Sequence, residues 1–397
     1  MSRKREERCF LELLRVGLWG VSPDLSLFGD DGNGEKRKAF DWHRVLELAA
    51  EQTVVGVVTD AVSQIPKELQ GEKPVMMQFF ARTMELEDEN RKMNRFAPFL
   101  ISQLAKKGVQ SILLKGQGVA TCYRQPLHRV SGDIDLLITD GQQYLKARGL
   151  MEKIADFVEE EDEGRKHSAY SYKGFVIEIH GDFRFLVNAR CSQNTSRWKE
   201  MRLAEGTRTI EEDVLKGAVL PPVQFDAVFI FAHLLGHYMG AGGVGLRQVS
   251  DWMMFLNKHY EDIDQEKLLS DLRLLGIERY WNVFGAMCCD YLGYPRQRMP
   301  FYDERCSRKG RMVLHNIFKT GNFGAKQKEW QLKEDSNLIL KKLVTFAGQI
   351  PVYGRNLRLF PVDTLWCFKK FIWGALHGYK TKAPAALANE EQKIPVT

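Results

Sequence analysis

The stretch from Ser111 to Thr139, SILLKGQGVATCYRQPLHRVSGDIDLLIT, constrains the fold more than any other part of this chain. Ile112-Leu113-Leu114 is a short apolar run and reads as a buried strand. Lys115-Gly116-Gln117-Gly118 ends that run with turn chemistry, and Val119 to Tyr123 reads as the first turns of a helix. A polar loop from Arg124 to Gly132 follows. Asp133-Ile134-Asp135-Leu136-Leu137-Ile138 then re-enters a strand with two aspartates at its mouth.

Strand residues two apart point to the same face. Asp133 and Asp135 therefore aim together while Ile134 turns to the core. Two carboxylates about 5 Å apart repel by roughly 3 kcal/mol at an effective dielectric near 20. A divalent cation is the usual compensation, and magnesium takes one or two carboxylates together with substrate phosphates. The glycine turn at a helix start adds backbone N–H groups and the positive end of the helix dipole. A carboxylate pair beside a phosphate cradle is the equipment of phosphoryl or nucleotidyl transfer.

These residues also carry a resemblance. Leu113-Leu114-Lys115-Gly116, Tyr123, Pro126, Arg129 and Gly132 to Leu137 resemble an uncharacterised bacterial nucleotidyltransferase family with the rough pattern LKG…Y…P…R…GDIDLL. That family looks like a branch of the DNA polymerase beta-type nucleotidyltransferase superfamily, and the similarity runs from about Cys9 to about Tyr379. Gln117 departs from the wider pattern, which has a serine whose hydroxyl often touches phosphate. The resemblance implies an α+β fold, with a small mixed β-sheet nucleotidyltransferase core between helical N- and C-terminal regions. It implies a third carboxylate on a later strand, which Glu178 of Val176-Ile177-Glu178-Ile179-His180 supplies. Asp133, Asp135 and Glu178 are then the catalytic and metal residues, binding Mg2+, with two ions during turnover. Lys115, Gly116, Gln117, Gly118 and Arg129 would hold the nucleoside triphosphate (NTP), with Arg129 either steadying phosphate or bracing its loop. Leu246-Arg247-Gln248-Val249-Ser250-Asp251 resembles a second family motif. It implies that Arg247 and Asp251 overlie the cleft, and their spacing predicts an ion pair on one helix face. With His180, His233 and His237 they are candidate contacts to the acceptor.

The rest of the chain is organised around that core. Residues 1–95 read as a helical region, with helices over Cys9 to Leu18 and Trp42 to Val62 and one or two helices over Pro74 to Lys107. Residues 96–215 form the core, 216–380 a helical region and 381–397 a tail. Asp31 to Gly34 reads as a loop, because the rest of a calcium-loop pattern is missing. The acidic run Glu159 to Glu163 reads as a solvated loop. Tyr172-Lys173-Gly174-Phe175 predicts a hairpin turn. His233 and His237 lie one helical turn apart, but no glutamate follows the first and no third ligand is evident, so packing or substrate contact is the better reading than zinc. Gly240 to Gly245 reads as a connection between helices. The aromatic and basic stretch Leu357 to Tyr379 reads as a helix packed on the core.

Composition narrows function further. A net charge of +6 spread over 397 residues suits an anionic substrate but not a long nucleic acid, which needs clustered cations. A small-molecule acceptor is therefore expected. A toxin-like enzyme acting on tRNA or protein is the alternative, as is a silent nucleotide-binding partner protein, against which the intact Asp133, Asp135 and Glu178 argue. A dinucleotide-binding reading of Gly116-x-Gly118 fails at Thr121, where glycine or alanine is required. Seven cysteines without a C-x-x-C pair read as reduced cytoplasmic thiols. No apolar stretch is long enough for a transmembrane helix.

Overall fold

Apolar residues three and four apart make Arg5–Trp19 a helix, α1, which buries Phe10, Leu13, Leu14, Val16 and Leu18. Asp41 caps α2 (Trp42–Glu51) by accepting from the Arg44 amide. The single helix expected from Trp42 to Val62 is broken, and α3 (Val55–Val62) starts afresh. Thr53, at the break, has φ 53°, a conformation a β-branched residue keeps only where its surroundings impose it. Gln52, beside it, is tied down. Its carbonyl accepts from the Arg247 amide at 3.2 Å and its Oε1 accepts from the Leu246 amide at 3.0 Å. The stretch from Pro74 to Lys107 is one helix, α4 (Lys73–Lys106), with Pro98 inside it.

The computed structural model describes residues 5–29, 40–158, 167–211, 215–240, 243–322 and 338–376. The Asp31–Gly34 loop, the acidic run Glu159–Glu163, Phe323 and Gly324 of the turn after Gly321, and the tail from Thr381 lie outside the described residues.

The core follows in chain order: β1 (Ile112–Leu114), α5 (Gly116–Ala120), β2 (Asp133–Leu137), α6 (Gly141–Met151), β3 (Phe157–Val158), β4 (His167–Tyr172) and β5 (Phe175–His180). Among the described residues these strands form one mixed sheet in the order β1-β2-β5-β4-β3, with β2 and β5 parallel and the other pairs antiparallel. Lys173 and Gly174 have φ 52° and 82°, so the β4–β5 hairpin turns on two left-handed residues. Ile134, Leu136, Ile177 and Ile179 face Ala97, Leu100 and Leu104 of α4 and Tyr144 and Ala147 of α6. Strand alternation sends Asp133, Asp135, Glu178 and His180 to the other face. The fold is therefore α+β, as expected.

The helical remainder is α7 (Ala189–Leu203), the short pair β6 (Arg208–Thr209) and β7 (Val219–Leu220), α8 (Val223–Met239), α9 (Leu246–Lys258), α10 (Gln265–Leu275), α11 (Glu278–Leu292), α12 (Ser307–Thr320), α13 (Leu338–Leu357) and α14 (Pro361–Leu376). Most residues of α8 are apolar and buried, as a helix enclosed on all sides requires. The first and last helices share one hydrophobic core. Trp19 Nε1 donates to the Leu292 carbonyl at 2.7 Å, and Phe10 meets Phe318 edge to face at 5.8 Å. Among the described residues no helix is long and apolar enough to cross a membrane.

Candidate active site

The parallel pairing of β2 with β5 decides where the acids meet. Its register sets Asp135 opposite Glu178 and Leu137 opposite His180. Ligand atoms of Asp133, Asp135 and Glu178 come within 4.8 Å of one another. Asp135 is 1% exposed, and its Oδ2 has no hydrogen-bond partner among the described residues. Burial, then the charge of Asp135, pushes the Asp133 carboxyl up to about 7, against the pull of Lys115. Burial would raise Glu178 too, but His167 and His180 beside it hold its carboxyl well below the usual range.

The turn between β1 and α5 brings a cation to this cluster. Lys115 has φ 44° and Gly116 has φ 40°. The conformation at Lys115 is strained for a side chain bearing a Cβ, and such strain gathers at functional sites. Lys115 Nζ lies 3.0 Å from Asp135 Oδ1 and 3.4 Å from His233 Nε2. Burial works against its charge, but Asp135, Asp133 and Glu178 outweigh burial and hold the ammonium above its usual pKa.

Histidines line both sides. His180 Nε2 is 2.8 Å from Asp135 Oδ1. Burial would lower His180, but bonding to Asp135 and Glu178 raises it to about 9. His167 stacks on His180, with ring centres 4.7 Å apart. On the other side of Lys115, His237 Nε2 lies 3.0 Å from His233 Nε2 on α8. Burial and then the Lys115 charge hold His233 well below its usual value, and burial with Lys115 and Arg247 brings His237 to about 4. Both are neutral imidazoles at neutral pH.

Several expected contacts have other partners. Asp251 does not pair with Arg247. It is buried against Arg129, whose Nε and Nη2 each donate to it at 2.8 Å, and Tyr123 OH donates to it at 2.7 Å. The predicted helix-face pair fails because a buried, two-pronged guanidinium outcompetes a partly exposed neighbour for one carboxylate. Arg129 is thus a brace between the loop before β2 and α9, and Asp251 is its counter-ion. Arg247 instead donates to the Val130 carbonyl at 3.0 Å, and its charge lowers Asp133. The Gln117 side chain points inward, donating to the Asp133 carbonyl at 3.3 Å. Gly118 sits inside α5, where an added Cβ would lie 2.8 Å from Leu220 Cδ2. Its glycine serves packing against β7.

Sequence reasoning did not single out His167 as a site residue. The hairpin register pairs it with His180, so counting outward from the Lys173-Gly174 turn would have found it.

Three carboxylates around an unpartnered buried oxygen are hard, anionic donors and fit a divalent cation. A family model described as an uncharacterised nucleotidyltransferase matches residues 38–293. No curated protein and no solved structure matches the chain.

Proposed function

The chain belongs to this uncharacterised nucleotidyltransferase family, and on that premise we propose that it moves a nucleoside monophosphate from an NTP to a hydroxyl of a small-molecule acceptor, using magnesium. The observation that carries the reading is the convergence of Asp133, Asp135 and Glu178 beside the Lys115–Gly116 turn. The acceptor hydroxyl oxygen bonds to the α-phosphorus and releases its proton to solvent as the bond from the α-phosphorus to the bridging β-phosphate oxygen breaks, and pyrophosphate leaves.

In this reading Asp133, Asp135 and Glu178 hold Mg2+, with two ions during turnover. When bound, magnesium supplies charge neutralisation at the phosphates and a lowered pKa at the attacking hydroxyl. Lys115 meets the triphosphate as a point charge, with the Gly116 backbone beside it. Arg247, partly exposed and adjacent to Asp133 in charge, offers further N–H donors. Glu178 accepts the hydrogen bond of the acceptor hydroxyl. His233 and His237, kept neutral, are suited to hydrogen-bond an uncharged polar acceptor without adding charge. Gly118, Gln117, Arg129 and Asp251 support the turn and the cleft wall.

The small-molecule acceptor is supported by charge. The +6 excess is spread along the chain, and in the basic run Arg305 to Arg311 the guanidinium of Arg305 is paired with Asp303. Nucleic-acid binding through six to ten phosphates needs cations gathered on one face. The test is pyrophosphate release by the purified protein with Mg2+ and each NTP, against panels of sugars, antibiotics, proteins and tRNA. Metal-dependent release with a small-molecule partner is expected. Labelled tRNA as the product, with steeply salt-dependent binding, would replace the small-molecule reading.

A further inference from the structure

We propose that His167, Glu178 and His180 form a second cation site, selective for a late first-row divalent ion such as Zn2+ over Mg2+. Ion binding needs no nucleotide, so this site stands or falls apart from the transfer reaction.

The hairpin builds the donor set. The β4–β5 register puts His167 directly across from His180 and Ala169 across from Glu178. Glu178 and His180 share a face because they are two apart, and His167 reaches the same face from the neighbouring strand. Ligand atoms of all three lie within 4.8 Å of one another.

The spacing is that of ligands around one centre. A tetrahedral zinc with bonds of about 2.0–2.1 Å separates its ligand atoms by about 3.3–3.4 Å. His167 Nε2 and His180 Nε2 lie 3.2 and 3.4 Å from the same Glu178 oxygen. His167 Nε2 is buried and, despite that closeness, is not aligned for a hydrogen bond with any described residue. The ring centres lie 4.7 Å apart with planes 24° from parallel, so binding one ion requires one imidazole to rotate its Nε2 lone pair inward and His180 Nε2 to give up its 2.8 Å contact with Asp135 Oδ1. Three protein ligands leave a further position for water or a substrate oxygen, the pattern of catalytic rather than structural zinc.

Donor chemistry sets the selectivity. Imidazole nitrogen suits zinc, cobalt and nickel, whereas magnesium prefers an all-oxygen set. Glu178 belongs both to this set and to the set of Asp133 and Asp135. Two ions of different hardness would then share one carboxylate.

The experiment titrates metal-stripped full-length protein with Co2+, without nucleotide, and follows visible absorption. The expected result is a tetrahedral-type cobalt spectrum that Zn2+ abolishes and equimolar Mg2+ does not. His167→Gln and His180→Gln each weaken Co2+ binding by at least about tenfold. His233→Gln, an imidazole in the same cleft outside the donor set, leaves it unchanged. Circular dichroism checks folding. His167 has 31% of its side chain exposed, so its variant carries the test if His180→Gln unfolds. Absence of the spectrum, ready displacement by Mg2+, or equal Co2+ affinity in wild type and His167→Gln would overturn the proposal.

Discussion

Arg129 and Asp251, far apart in the chain, meet as a buried two-pronged ion pair with both N–H···O distances at 2.8 Å. It ties the loop before β2 to α9, and so fixes the distance between the acidic strand and the helix that carries Arg247. Removing one partner of a buried pair strands the other charge and costs about 3–5 kcal/mol. Arg129→Ala should lower the urea midpoint accordingly. An unchanged midpoint with a raised KM for NTP would instead make Arg129 a nucleotide contact.

Asp133→Asn and Asp135→Asn should each cut metal-dependent pyrophosphate release by at least about a hundredfold. Far-ultraviolet circular dichroism should stay as in the wild type. Near-normal turnover in either variant would remove these residues from the metal set.

Glu178→Gln should lower kcat far more than it raises KM for NTP, because in the proposed reaction this carboxylate would act on the attacking hydroxyl. Steady-state kinetics separate the two. A change confined to KM would make Glu178 a binding residue alone.

The two turn glycines should part company. Gly116 lies at φ 40° beside the acids, so Gly116→Val should weaken triphosphate binding, read by calorimetry, with little change in secondary structure. Gly118→Ala meets Leu220, and overpacking of this kind costs about 1–3 kcal/mol. It should lower the melting temperature more than it alters nucleotide affinity. The reverse pattern would transfer the phosphate role to Gly118.

His128 provides a pH-dependent link away from the cleft. Its two ring nitrogens lie 2.7 Å from Asp60 of α3 and 2.7 Å from Glu87 of α4. The bond to Asp60, opposed by burial and joined by Glu87, raises its pKa, while bonding to His128, against burial, lowers that of Glu87. A raised histidine stabilises fully below its unfolded value of about 6.5 and loses that contribution as pH rises through the folded value. The lowered Glu87 contributes above its unfolded value of about 4.3 and loses it on further acidification. The link is thus strongest between those values. The stability difference between wild type and His128→Gln, measured by urea unfolding, should shrink from pH 6 to pH 9. A difference that is flat across that range would sink the idea.

The acids and the hairpin were legible in the sequence because each rests on local spacing. Asp133 and Asp135 are two apart on one strand, and Lys173-Gly174 declares its own turn. The family pattern supplied Glu178, whose position opposite Asp135 is a matter of strand pairing. What stayed hidden depends on distant partners. Asp251 has a suitable cation one helical turn away, and nothing nearby in the chain says that Arg129 takes it. The interruption at Thr53 is equally silent, because Trp42 to Val62 keeps its apolar rhythm through the break. His167 was within reach, but only by treating the hairpin as a ruler.

Gln52 never faces the cleft, yet its backbone and side chain hold the amides of Arg247 and Leu246. The corner between α2 and α3 therefore sets where α9 begins, and with it where the Arg247 guanidinium stands relative to Asp133. A substitution that straightened this corner would shift the guanidinium along the cleft while every residue lining the cleft kept its identity. In the proposed reaction, nucleotide affinity would thus change through a residue that is itself fully buried.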